Sequence, residues 1–459
     1  MNRALRLLAL SALAILALVA ARRRTYLPPV TPPLVATRSF AVTDKAILDG
    51  FPFQRFMNAL VERSGTRTTS LGLYQQWFDT QNPKPGLVSA DTPHCDDFTT
   101  DGKPSFNGFP RRCPTPEGKL ALTNPFAAPE YIPIAVMNRF DLTPADGANC
   151  GEYRVIYARV GQGKDTLHVI FEAVLPNPTP EAGLAGCRPV AQFWADLSAV
   201  DSLAERRARL ERFFFTGIPG FEPVVDPTHY AGTSSGRART AQLTVGQADN
   251  SVRFYQFRLA NECAGGDCQL RMLPDVLENM PHGRLFDGND TSELAAQFRD
   301  ELVTQVATLA VRDVNRFFMQ LSPKYGMHES DPGGLAFIYD GPFVRSQNTP
   351  AGIDFANRIQ AELTRAGSAL TPLQLINRAE TQNCVGCHVL RGPVGEGVIF
   401  PAALGVEHVT ERPEEMLDGE GGAKTRFRIS PAVQDVFVPH RMEILRAFLA
   451  TGKPPEHSK

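Results

Sequence analysis

Residues 152–175 constrain the fold more than any other stretch of this chain. "EYRVIYARV" alternates, "GQGKD" supplies a turn, and "TLHVIFEAVL" alternates again. Alternation sends successive side chains to opposite faces, so the segment reads as an antiparallel hairpin. Further strands are expected at "RTAQLTVGQ", "SVRFYQFRLA" and "CQLRMLP". Helical spacing marks residues 44–65, "LGLYQQWF", "VAQFWADLSAV", "SLAERRARLERFFF" and one long amphipathic run from Ser292 to Leu321. Strands and helices come in blocks rather than in strict alternation. The expected class is therefore α+β with antiparallel pairing, and there is no repeat at solenoid periods.

Composition bounds what this body can do. With 43% apolar and 21% charged residues in 459, the chain can bury substantial cores. Lys and Arg number 47 against 49 Asp and Glu, so the basic excess that binding a phosphate backbone requires is missing. No nucleic-acid partner is expected.

The N-terminus carries a different signal. "MNRALRLLALSALAILALVAARRR", residues 1–24, has a short basic beginning, an apolar run from Leu7 to Ala21 and small residues fit for cleavage. It reads as an export signal peptide. The alternative is an uncleaved N-terminal anchor, favoured by Arg22, Arg23 and Arg24 but short for a bilayer that takes about 20 residues. Membrane contact is expected only there. "LPPVTPPLV" then makes residues 25–40 a proline-rich linker. The expected location is the periplasm or envelope.

Cysteine usage agrees with export. Of eight cysteines, Cys95, Cys113, Cys150, Cys187, Cys263 and Cys268 remain once Cys384 and Cys387 are set aside. Sequential pairing gives 95–113, 150–187 and 263–268. The last is supported by "NECAGGDCQL", in which a Gly-Gly-Asp turn brings two strands opposite each other. Six buried free thiols are the alternative.

The chain divides, on this reading, into an α+β body over 41–345 and a smaller, mainly helical unit over 350–459. The latter holds helices in "DFANRIQAELTRAG", "TPLQLINRAETQ" and "HRMEILRAFLATG", and between the last two lies "NCVGCH", Asn383 to His388. A Cys, two spacers, Cys and His arise by chance in about three of a thousand chains of this composition. A zinc site would need further thiolates or imidazoles close by, and His408 and His440 stand alone. A redox dithiol would sit at a helix N-terminus, whereas here Thr371 caps a helix, Pro372 opens it, and Leu373, Leu375, Ile376 and Ala379 lead into Cys384 from its N-terminal side. Covalent haem needs two thiols for two vinyl groups and an imidazole for the iron, the roles Cys384, Cys387 and His388 fill.

In these residues the chain resembles the c-type cytochromes, over roughly residues 350–459 only. The resemblance implies one covalently attached haem c, His388 as proximal iron ligand, a proline carbonyl from Pro393 or Pro401 holding its imidazole, and electron transfer to a redox partner protein. It also implies a distal methionine in a loop before the last helix. Here the pattern departs: Met442 stands at that helix's start, Met416 lies in "EEMLDGEGG", and His440 and His408 are equally reachable. Met442 and His440 rank together as distal candidates, and an open sixth position stays on the table. The functional alternatives are an envelope binding or sensor protein, and an oxidoreductase whose substrate site lies in the body.

Two further stretches of the body carry motif-like patterns. "GTSSG", Gly232 to Gly236, matches a nucleophile elbow but lacks the strand before and helix after that the motif requires. "MNRFDLTPADGANCGEYR" concentrates Asn138, Arg139, Asp141, Asp146, Glu152 and Arg154, a candidate polar site around Asp141 and Glu152 if the body is catalytic.

Overall fold

The computed structural model of the chain describes residues 32–127, 130–160, 166–232, 234–244, 251–330, 338–382, 416–418 and 425–453. The export segment, the first part of the linker and "NCVGCH" lie outside them.

A meander of strands organises the body. β1 (Ala41–Val42) pairs with β2 (Tyr131–Arg139), followed in sheet order by β3 (Asn149–Val160), β4 (Thr166–Pro176), β5 (Arg237–Thr244), β6 (Ser251–Ala264) and β7 (Asp267–Asp275). All pairings are antiparallel, and β8 (Glu329–Ser330) adds to β6. The protein is a mixed α and β fold with an antiparallel sheet, as the block order of the sequence suggests.

One face of this sheet is aromatic. Helix α1 (Phe53–Ser64) buries Phe53, Phe56, Met57 and Leu60, spaced along one stripe, and stops at Gly65, whose φ of 66° is a left-handed C-cap. Helix α2 (Ser70–Asp79) is capped by the Thr69 hydroxyl, which accepts from the Gly72 N–H. Phe56 lies 4.3 Å from Phe171 of β4, and Trp77 of α2 lies 5.5 Å from Phe257 of β6, centroid to centroid. Farther along, α3 (Arg188–Leu197) stacks Trp194 on Tyr153 of β3 at 5.6 Å, and α4 (Leu203–Phe215) sets Phe213 edge-on against both. Each such ring buries enough apolar area to dominate the local energetics.

The three expected disulfides are present: Cys95–Cys113, Cys150–Cys187 and Cys263–Cys268. The third joins directly opposed residues of the β6–β7 hairpin. Three disulfides fit an oxidising compartment. Among the described residues, no helix is long and apolar enough to cross a membrane.

A second hydrophobic cluster joins Phe286, α5 (Glu293–Thr304), α6 (Asp340–Ser346), α7 (Pro350–Arg365) and α8 (Pro372–Glu380). It straddles residue 350, so packing does not follow the boundary drawn from the sequence. The final helix α9 (Val438–Thr451) is built into the main core instead, through Val438, Leu445, Phe448 and Leu449. Phe448 meets Phe140 at 4.9 Å, and Arg188 donates to the Leu449 carbonyl at 2.8 Å.

One expected helix is cut short. Instead of running from Ser292 to Leu321, the chain is helical over Glu293–Thr304 and Val306–Leu309 and then leaves the helix. Arg378 of α8 donates to the carbonyls of Leu309 and Val311 at 2.9 and 2.7 Å, which satisfies acceptors that a continuing helix would have used. The Asp313 carboxylate then accepts from the Asn315 N–H, closing a turn.

Candidate functional site

The opposite face of the sheet carries charge. In register, Arg139 of β2 lies opposite Glu152 of β3, Arg154 of β3 opposite Glu172 of β4, and Glu172 opposite Arg237 of β5. Residues two apart share a face, so Glu152 and Arg154, and Arg237 and Arg239, complete one stripe across four strands. Glu278, following β7, and Arg441 of α9 close its edges.

Glu172 is the hub, with its side chain only 1% exposed. Its two oxygens lie 3.1 Å from Arg154 Nη1, 3.3 Å from Arg237 Nε and 3.4 Å from Arg239 Nε. Arg154 also donates to Glu152, and Arg237 Nη1 reaches Glu278 at 2.6 Å. Arg139 grips Asp141 with two nitrogens, Nε at 3.0 Å from Oδ1 and Nη2 at 2.8 Å from Oδ2. Arg441 Nε lies 3.8 Å from the same carboxylate.

Burial would raise the Glu172 carboxyl, but the guanidiniums of Arg154, Arg239 and Arg237 outweigh it and hold the group at about 2. Asp141 is likewise held at about 2: Arg139 and Arg441 overcome the cost of burial. Arg154 moves the other way, because Glu152 and Glu172 more than offset its own desolvation. Arg441 is the exception. Burial lowers it to about 9, and the nearby Arg139 pushes in the same direction.

This arrangement holds fixed charge. A general base works best with a pKa near the working pH, and Asp141 and Glu172 lie far below it. What the stripe offers is a preorganised field and hydrogen-bond donors.

The structure thus brings together four of the residues picked out in "MNRFDLTPADGANCGEYR": Arg139, Asp141, Glu152 and Arg154. Asn138 points to the other side, where it is buried, donates to the Ser39 carbonyl and accepts from the Phe140 N–H. Asp146 is exposed and caps a turn through the Ala148 N–H. "GTSSG" follows a 3-10 turn at Pro227–Tyr230 and precedes strand β5, so it has no elbow context.

No family model matches the chain, and no curated protein or solved structure matches it either. Its function is read from its own residues.

Sequence reasoning missed Glu172, Arg237, Arg239, Glu278 and Arg441. The first three were open to detection, since each occupies a charged position of an alternating strand. Glu278 and Arg441 arrive from a loop and a distant helix, and no local signal announces them.

Of the haem-related residues, Cys384, Cys387, His388, His408, Pro393 and Pro401 lie outside the described residues. The helix leading to them is as expected: the Thr371 hydroxyl and the Gln374 side chain form a capping box, with Pro372 at the first position. Leu375, Ile376 and Ala379 are buried, while Leu373 is 37% exposed because it lies off their arc of the helix. Met416 lies in a short strand, Met416–Asp418, paired with Thr425–Phe427. His440 and Met442 both belong to α9. Two residues apart, they stand about 200° apart around the helix axis, on nearly opposite sides. Met442 packs on the main core, on the side of Val438, Leu445 and Phe448. His440 is half-buried and has no hydrogen-bond partner among the described residues.

Proposed function

We propose that this chain is an exported, monohaem c-type cytochrome-like protein that passes single electrons to a redox partner in the periplasm or envelope. The observation that carries the proposal is "NCVGCH" placed directly after α8, a helix capped at Thr371 that ends two residues short of Asn383. Cys384 and Cys387 would hold the haem by thioether bonds, and His388 would bind its iron. When bound, the group supplies one-electron chemistry.

Features of the described residues support such a group. α8 is anchored at both ends, by its capping box and by the buried Arg378, so the segment after it starts from a fixed point. His440 offers an imidazole with no competing hydrogen bond among the described residues. Met442, partly buried, packs against the main core on the side of Val438, Leu445 and Phe448, and withdrawing it to reach an iron would give up that contact. His440 is therefore the distal ligand we infer, giving bis-imidazole coordination.

Three disulfides support an oxidising destination, which is where this haem chemistry and the export segment both lead. The test is a haem stain on a denaturing gel after production with a cytochrome maturation system. A stained band that disappears in the Cys384→Ala/Cys387→Ala chain supports covalent attachment, and an unstained wild-type band removes it.

A further inference from the structure

The ionic stripe does not balance. Among the described residues, Arg139, Arg154, Arg237, Arg239 and Arg441 face Asp141, Glu152, Glu172 and Glu278, five cations against four anions. The surplus falls on one residue. Each of the other four guanidiniums has a carboxylate oxygen within 3.4 Å, whereas the nearest to Arg441 is 3.8 Å away, on an Asp141 already gripped by Arg139. Arg441 Nη1 is buried and has no hydrogen-bond partner among the described residues.

A buried guanidinium with a free donor is costly, and like charges beside it make it more so. Arg139 and Arg154 both act on Arg441 in that unfavourable sense. Yet α9 is held firmly by Phe448 and the Arg188 bond, which fixes Arg441 where it is. The locus is not sealed: the Arg441, Arg139 and Arg154 side chains are 11%, 15% and 22% exposed. A small group can enter, and a singly charged anion would cancel the surplus.

We propose that Arg441, flanked by Arg139 and Arg154, binds one oxyanion group, a carboxylate or phosphate, through its unpartnered Nη1. Planar guanidinium forks suit such groups in bidentate fashion. Two sources share this chemistry: a free anion, or a carboxylate carried by the haem that the preceding section assigns. The site itself does not depend on that assignment.

The experiment is thermal unfolding of the full chain at constant ionic strength, with inorganic phosphate replacing chloride. It is run on the haem-bearing chain, on Cys384→Ala/Cys387→Ala, and on each carrying Arg441→Gln. Phosphate at ten times its dissociation constant should raise the midpoint by about 2 °C. A rise in both parent chains supports the site and makes the ligand a free anion. A rise only in the cysteine-free chain supports the site and makes its occupant a haem carboxylate. No rise in either, or an equal rise after Arg441→Gln, overturns the proposal. Should Arg441→Gln fail to fold, Arg441→Lys decides: keeping the charge without the fork, it should at least halve the rise, and an undiminished rise overturns the site. Exposed Arg446→Gln on the same helix is the control that keeps the full response.

Discussion

Arg154 Nη1 sits 3.1 Å from Glu172 Oε1 across the β3–β4 pairing, with the Glu172 side chain itself almost closed to water. Because Glu172 also serves Arg237 and Arg239, losing its charge weakens three guanidiniums at once and leaves Arg239 without a carboxylate among the described residues. Glu172→Gln should lower unfolding free energy by about 3–5 kcal/mol, the usual cost of breaking a buried pair. The half-exposed pair Arg159–Glu130 should matter by about 1 kcal/mol or less when Glu130 becomes Gln. Urea unfolding of the two variants compares them directly, and equal losses would contradict the hub role.

The same carboxylates set an acid limit. Glu172 and Asp141 are held at about 2 in the fold, below their ordinary values of 4.5 and 3.8. Their contribution is thus complete above those ordinary values and is lost as pH falls from there toward about 2. Unfolding midpoints measured from pH 6 down to 2 should drop steeply over the lower half of that range. The drop should be shallower in Glu172→Gln, and a parallel profile would contradict it.

Disulfide contributions should rank by loop length. Cys150–Cys187 closes a separation of 37 residues and Cys263–Cys268 one of 5. Chain entropy gives about 4 kcal/mol for the first and about 2 kcal/mol for the second. Double alanine variants compared by denaturant unfolding should keep that order.

The hub pair could have been read from the sequence. Val160 pairs with Thr166, and counting outward along an antiparallel ladder puts Arg154 opposite Glu172. The ladder's innermost pair therefore sets which charged side chains meet across it. The three disulfides and the capped helix before the motif were legible for the same reason: the signals are local. The end of the helix at Leu309 was not, because the competing donor is Arg378, about seventy residues on. Nor was the embedding of α9 in the body. Its apolar stripe announces a buried face, but only tertiary packing says that Phe140 and Arg188 receive it.

Placing His440 and Met442 on opposite sides of α9 separates two distal-ligand assignments. His440→Ala should convert a low-spin haem spectrum to a high-spin one that binds carbon monoxide, with stability little changed. Met442→Ala should leave the spectrum low-spin and cost about 1–2 kcal/mol through lost packing at the edge of the core. The reverse pattern of spectra would assign the iron to Met442.

The central claim is that Cys384 and Cys387 carry one haem. Its most direct test is haem content per chain, by alkaline pyridine spectroscopy on protein made with a cytochrome maturation system and extracted with acidified organic solvent. A thioether-type spectrum at one haem per chain, lost in Cys384→Ala/Cys387→Ala, is the predicted result. Wild-type protein with no haem left after extraction would contradict it.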